Sequence, residues 1–227
     1  MRRIFGLGIL ILGMCCQVIG QKGSSDKPNF IIIQADDLGY ADLSMNGSKQ
    51  NKTPNIDALA RSGTTFSQAY VSSAVCSPSR AGLLTGRHQV EFGYDNNLTA
   101  RPSKGIDPEY SGLSIEQKTI ATRVKEQGYT TGIVGKWHLG YQDQFHPVNR
   151  GFDEYWGYIA GGHDYFKSKE GNTHYLAPLE SNFKTPDPIT YLTDDKGNEC
   201  VDFIKRHQKE PFFFYASFNA PHTPLQA

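Results

Sequence analysis

Along this chain, continuous apolar runs alternate with stretches of helical periodicity, and the runs set the first expectations. Asn29-Phe30-Ile31-Ile32-Ile33-Gln34-Ala35 is continuous rather than alternating, which predicts a strand buried on both faces of a parallel sheet. Thr53-Pro54 opens a helix carrying Ile56, Leu59 and Ala60 toward a stop at Gly63, and Thr64 to Val71 then reads as a strand. Ser77 to Thr85 reads as a second helix, with Pro78 in its first turn. Ser114 and Gln117 have the spacing of a capping box ahead of Ile120 and Val124. Gly128 ends that helix, and Tyr129 to Val134 follows as a strand. A fourth unit repeats the pattern: Asp194 or Asp195 caps a helix through Val201 and Ile204, and Pro211 introduces the aromatic strand Phe212 to Ala216. Such alternation predicts an α/β fold with a largely parallel sheet. Between about 138 and 190 the chain is rich in Gly, Pro, Tyr and His with weak periodicity, the composition of a long loop that builds a pocket.

With 227 residues, 38% hydrophobic and 12% aromatic, the chain has material for a substantial core and reads as one domain or part of one. Lys plus Arg and Asp plus Glu both number 23, so no basic excess points to nucleic acid. Residues 1–20 have the form of a secretory signal: Arg2 and Arg3, an apolar run from Ile4 to Met14, and Val18-Ile19-Gly20 suited to cleavage before Gln21. Residues 21–27 read as a polar spacer ahead of the folded part of the chain, 28–227. Export to a secreted or periplasmic location is expected. The apolar run is short for a transmembrane span, and bulky Met14 before Cys15 disfavours a lipid anchor. Removal of the signal leaves only Cys76 and Cys200, which is no disulfide framework, and Cys200 is expected to face the core from a helix. Sequons at Asn46, Asn51 and Asn97 matter only in a eukaryotic secretory pathway.

Four short stretches carry candidate chemistry. Cys76-Ser77-Pro78-Ser79-Arg80 places a sulfur at a helix mouth, where unsatisfied N–H groups and the Arg80 guanidinium favour an anion; the plain alternative is a cysteine in a cap. Asp36-Asp37 ends the first predicted strand, where open α/β sheets place ligands. Adjacent carboxylates invite a hard divalent cation, unless Asp-Asp-Leu-Gly is simply a polar turn. Gly135-Lys136-Trp137-His138-Leu139-Gly140 follows another strand, with Lys136 and His138 two positions apart in extended backbone; otherwise they are a surface lysine and a satisfied histidine. Ala220-Pro221-His222-Thr223-Pro224 follows the aromatic strand and sets His222 at the same sheet edge.

The run C-S-P-S-R continued by Ala81-Gly82-Leu83-Leu84-Thr85-Gly86-Arg87, together with G-K-W-H-L-G, closely resembles the signatures of the type I sulfatases. The resemblance implies an alkaline-phosphatase-like α/β fold, its largely parallel central sheet flanked by helices, and hydrolysis of sulfate esters. It implies that a maturation enzyme oxidises Cys76 to formylglycine, whose hydrate attacks sulfur and, through its second hydroxyl, expels sulfate. It further implies that Asp36, Asp37 and residue 76 hold Ca²⁺, with Mg²⁺ as the other choice. Arg80, Lys136 and His222 would stabilise the sulfuryl oxygens or protonate the leaving alkoxide, and His138 would hold the formylglycine hydroxyl. The implied partners are that maturation enzyme and a sulfated small molecule or sulfated carbohydrate.

His163-Asp164 follows Gly162 where relatives often carry a serine, so no role is transferred to it; His88, His146, His174 and His207 are expected to be structural or solvent-facing. Sulfatases of this kind also carry two further metal ligands and a sulfate-binding lysine well downstream, whereas this sequence ends five residues after His222. The expectation is therefore the N-terminal portion of a sulfatase, truncated, with weakened metal affinity and an exposed sheet edge. A phosphonate or phosphodiester hydrolase using the same nucleophile, and an inactive fragment that only binds, are the other readings.

Overall fold

Five strands make one sheet in the order β1-β5-β2-β3-β4: β1 (Phe30–Asp36), β2 (Thr130–Lys136), β3 (Glu154–Tyr158), β4 (Glu180–Ser181) and β5 (Phe212–Pro221). The computed structural model describes residues 27–99, 111–166 and 178–226, so the expected signal segment and most of the spacer lie outside the described residues. All neighbours are parallel except β3 with the short β4. Strand β5 is central, pairing with β1 on one side and β2 on the other.

Alternation along β5 shows how the two sides of the sheet are filled. Phe213 and Tyr215 join Ile133, Trp137, Tyr155, Ala81 and Leu84 in one core, beneath α2 (Cys76–Thr85) and α3 (Ile120–Lys125). Phe212, Phe214 and Ala216 point the other way and join Val134, Trp156 and Phe203, the last from α4 (Leu192–His207). Phe203 stacks on Phe214 at 4.4 Å between centroids and meets Phe212 edge-on at 5.7 Å, so α4 is seated by aromatic contact. The expected α/β architecture is present, with helices on both faces of a mostly parallel sheet.

Several local expectations differ. Strand β1 forms as expected, but it is the outer strand, and Phe30, Ile31 and Ile33 are exposed, Ile33 to 64%. Its apolar run is not covered on both faces by the described residues. Residues 64–71 are turn and irregular backbone instead of a strand, and they do not join the open outer edge of β1. Helix α1 (Pro54–Ser62) begins at Pro54 and is followed by Gly63, as read, yet none of its residues is buried. Ser114 makes only a turn, its carbonyl accepting from Gln117; α3 is capped by Thr119, whose hydroxyl accepts from the Thr122 amide. Asp194 and Asp195 lie in the first turn of α4 and Tyr191 is its N-cap, while the Asp195 carboxylate accepts from the Thr190 amide and hydroxyl. The segment expected to be loop contains β3, whose residues from Tyr155 to Tyr158 are buried beside β2. Cys200 is free and packs against the α4 core as expected, where burial pushes its thiol up to about 12.

Candidate active site

The ends of β1, β2 and β5 and the start of α2 converge on one edge of the sheet. Asp36 is the last residue of β1, Lys136 the last of β2, and Asp36 pairs in register with Pro221 at the end of β5. Parallel strands bring their carboxyl ends to one side, so residues 100 and 185 positions from Asp36–Asp37 in sequence meet there. Gly135 makes this possible. It has φ 116°, and a Cβ there would stand 2.0 Å from the Ser217 carbonyl oxygen, so no larger residue lets β2 and β5 approach so closely before Lys136.

Helix α2 delivers Cys76 and Arg80. Pro78 lies in its first turn, where a missing N–H costs little, and Gly86 closes the helix in the left-handed region. Ser77 anchors the N-terminus: its amide donates to Asn97 Oδ1 and its hydroxyl to the His138 carbonyl, with Tyr94 OH at 2.7 Å. Arg80 is fully buried, its Nη1 donating to Lys136 O at 3.1 Å, Tyr215 OH at 3.2 Å and Ser217 Oγ at 2.5 Å. Its Nε and Nη2 donate no hydrogen bond to the protein among the described residues. Nη2 lies 3.3 Å from Asp36 Oδ1, and Lys136 Nζ donates to Asp36 Oδ2 at 2.6 Å. Two buried cations thus share one buried carboxylate.

The charges explain the ionisation of each group. Burial raises the Asp36 carboxyl, but Arg80 and Lys136 together hold it below its ordinary value. Burial and the neighbouring Arg80 lower Lys136, with Asp36 opposing. Burial also works against a Cys76 thiolate, but the hydrogen bond with His222 and the charge of Lys136 outweigh it, so the thiol is held below the usual range. His222 is correspondingly raised, first by that bond to Cys76. A carboxylate oxygen of Asp36, Cys76 Sγ and a ring nitrogen of His222 all lie within 4.8 Å of one another. A cleft of about 170 Å³ opens over Asp36, Asp37, Cys76 and Ser79, room for a sulfate-sized group. A larger cavity of about 720 Å³ is lined by Gly112, Ser114, Ile115, Glu116, Gln142 and Phe145, with no cysteine, histidine or cationic side chain among its lining residues.

The remaining sequence candidates stand slightly apart. Asp37 has φ 62° and an exposed carboxylate, 3.7 Å from His222 Nε2. His138 is not in extended backbone; it has φ 60°, its Nε2 lies 3.0 Å from the Leu98 carbonyl, and its buried Nδ1 has no hydrogen-bond partner among the described residues. Burial and Lys136 push it down to about 3, so it is a neutral imidazole. Gly161 leaves space for that ring, since a Cβ there would lie 2.7 Å from it. His163 is buried against the Tyr158 ring, its Nδ1 2.7 Å from the Asp164 carbonyl. His146 and His207 pair with surface acids, and His174 lies outside the described residues. Sequence reasoning missed Tyr215 and Ser217, which hold Arg80, and Lys196 with Asn219, buried just behind the site. The signal for Tyr215, Ser217 and Asn219 was the period of two along β5, which puts all three on alternate positions; Lys196 had none, since a lysine in an amphipathic helix ordinarily faces water.

At this edge a helix mouth and two buried cations surround one cysteine side chain beside adjacent carboxylates, a setting of the α/β class that suits an anionic group. The sulfatase family profile matches residues 28–227, and the chain belongs to the sulfatase family. It is 35% identical to N-acetylgalactosamine-6-sulfatase of Homo sapiens over 222 residues, covering 92% of this chain and 42% of that protein. It is 41% identical to arylsulfatase G of Homo sapiens over 236 residues, covering 91% of this chain and 43% of that protein. Among solved structures, Ps i-CgsB in complex with k-i-k-neocarrahexaose matches with TM-score 0.80 and 45% identity over 88% of this chain and 47% of that one. BT4656 in complex with D-Glucosamine-2-N, 6-O-disulfate matches with TM-score 0.66 and 28% identity, over 87% of this chain and 35% of that one. The chain thus spans less than half the length of these relatives, and its fold is the alkaline-phosphatase-like fold of sulfatases.

Proposed function

We propose that this chain carries the nucleophile half of a sulfuric ester hydrolase acting on sulfated carbohydrates, with Cys76 oxidised to formylglycine by a maturation enzyme. The observation that supports it most directly is the convergence of Cys76, Arg80, Lys136 and His222 around Asp36 at one sheet edge. The carbohydrate class rests on relatives solved with a neocarrahexaose and with a glucosamine disulfate. Residues 1–20 would direct export, and 28–227 form the catalytic portion. Among the described residues, no helix is long and apolar enough to cross a membrane.

Asp36 and Asp37 offer hard oxygen donors beside residue 76, which fits Ca²⁺ or Mg²⁺. Two carboxylates fall short of the six to eight oxygens Ca²⁺ takes, leaving positions for residue 76, the sulfate and donors from elsewhere. Bound there, the cation would polarise sulfate oxygens. The chain's own residues do the rest. The oxygen at residue 76 stands at the mouth of α2, where the positive end of the helix favours the charge that builds during attack on sulfur. Arg80 brings Nε and Nη2, which donate no hydrogen bond among the described residues, and Lys136 its amino group to the sulfuryl oxygens. His222, at the end of β5 beside residue 76, is placed to give a proton to the departing alkoxide. His138, kept neutral, retains a ring nitrogen able to accept a hydrogen bond from a hydroxyl at residue 76.

The first experiment is peptide mass spectrometry across Cys76 on protein from its native host. A mass matching aldehyde in place of thiol supports the reading; an unmodified thiol sinks it. Parallel assays with the sulfate and phosphate esters of one phenol then decide reaction class, and faster turnover of the phosphate ester would point to a phosphodiester or phosphonate hydrolase instead.

A further inference from the structure

Three cations are fully buried close to the strand ends: Arg80, Lys136 and Lys196. Asp36 compensates the first two. Lys196, on α4, has no such partner. Its Nζ donates to Asn219 Oδ1 at 2.5 Å and lies 4.8 Å above the Tyr158 ring, and no carboxylate among the described residues is within ion-pairing distance. An uncompensated buried ammonium is among the costlier things a fold can contain. Burial, then Arg80 and Lys136, depress its pKa far below the ordinary lysine value. A helix that needed only to fill this volume would be better served by methionine.

Asn219, the group Lys196 holds, joins three segments. Its Nδ2 donates to the His163 carbonyl at 3.4 Å, and its own carbonyl accepts from the His222 amide at 2.7 Å. Tyr165 OH lies 3.0 Å from that same carbonyl and 2.8 Å from the His222 carbonyl. The turn that carries His222 to Cys76 therefore hangs on Asn219, and the Asn219 side chain is fixed from below by Lys196 and from the side by the 163–165 segment.

We propose that Lys196 is a positioning residue for the site: its buried amino group clamps Asn219, and through Asn219 it holds the His222 turn against Cys76. The inference rests on the sulfatase reading only for its kinetic consequence; the structural link can be measured without turnover. Lys196→Met keeps the length of the side chain and removes the charge and the donor. In the full chain it leaves the melting temperature equal or raised, while amide exchange in peptides covering residues 218–223 speeds up about tenfold or more and β2 stays as protected as before. Asn219→Leu cuts the same link from the other end and gives the same local signature, so it decides the matter if Lys196→Met does not fold. With turnover in hand, Lys196→Met lowers kcat about 10- to 100-fold with KM within about twofold, and Lys196→Arg recovers part of the loss. Unchanged exchange at residues 218–223 in either variant overturns the proposal. So does a melting temperature that falls with exchange accelerated throughout the sheet, since Lys196 is then ordinary core support. A wild-type protein that hydrolyses no sulfate ester counts against the sulfatase reading alone and leaves the exchange result standing.

Discussion

Asp36 is the residue on which most of the site depends, because Arg80 and Lys136 are both buried and both rely on its single carboxylate. Asp36→Asn keeps the shape and removes the charge, leaving two buried cations uncompensated. Breaking a buried pair from one side costs about 3–5 kcal/mol. Chemical denaturation of the variant should show a loss of that size, and a loss below about 1 kcal/mol, the range of surface pairs, would show that water reaches these cations. Cys76→Ser tests the chemistry instead of the fold. A serine has one hydroxyl, so after sulfur transfer it has no second hydroxyl whose deprotonation can expel sulfate. The variant should release at most one equivalent of alcohol per protein and then stop, read as burst stoichiometry with a chromogenic ester; steady turnover would refute release by elimination. These residues were legible early, since each sits in a short run with an unusual local composition. The partnership between Asp36 and Lys136 was not. Lysine was expected to face sulfate, and only the register of β1, β5 and β2 shows that its ammonium spans to the neighbouring aspartate.

Helices and strands were readable where one physical signal dominated. The Pro-and-Gly-bounded α2 and the amphipathic α4 formed close to their expected limits, and the aromatic strand β5 began at Phe212 as expected but ran on past Ala216 to Pro221. Strand β3 was missed because its sequence, Glu-Tyr-Trp-Gly-Tyr, lies within a Gly- and Tyr-rich stretch whose composition resembles loop; its extended state is enforced by pairing with β2. Residues 64–71 erred the other way, since strand-like propensity alone did not bring them onto the open edge of β1. Helix α4 also has an electrostatic device at its C-terminal end. His207 lies between Glu154, 2.9 Å from its Nε2, and Glu210, 2.6 Å from its Nδ1. Burial lowers its pKa, but the two carboxylates win and raise it above the ordinary 6.5. Because the folded value is the higher one, the stabilisation is complete below about pH 6.5 and fades as pH rises through the folded pKa. The pairs are partly solvated, so the effect is on the order of 1 kcal/mol or less. Thermal melts from pH 5 to 9 should therefore show wild type losing its advantage over His207→Gln on the alkaline side, and parallel curves would show that the imidazole is not charged in the folded protein.

Charge balance across the whole chain is even, with 23 basic and 23 acidic side chains, so nothing long-ranged keeps two copies apart at neutral pH. Apolar surface is unevenly placed. On β1, Phe30, Ile31 and Ile33 are exposed to 46%, 46% and 64%, and the outer edge of that strand has no pairing partner among the described residues. Leu59 on α1 is exposed to 65%, with Phe66, Tyr70 and Val71 more exposed still. An unpaired strand edge beside exposed aromatic and branched side chains is a template for association, the more so without a net charge to oppose it. The opposite edge shows the contrast, since the short antiparallel β4 covers β3 and the residues from Tyr155 to Tyr158 are buried. The 227-residue chain, purified alone at neutral pH, should therefore show a mass that rises with concentration in light scattering. Ile33→Lys places a charge at the middle of the exposed edge without touching either core, because Ile33 belongs to neither cluster. It should return the protein toward a monomer while its melting temperature moves little, given that the replaced side chain is mostly in water already. A wild-type chain that stays monodisperse and monomeric across a hundredfold range of concentration would show instead that this apolar face does not drive association.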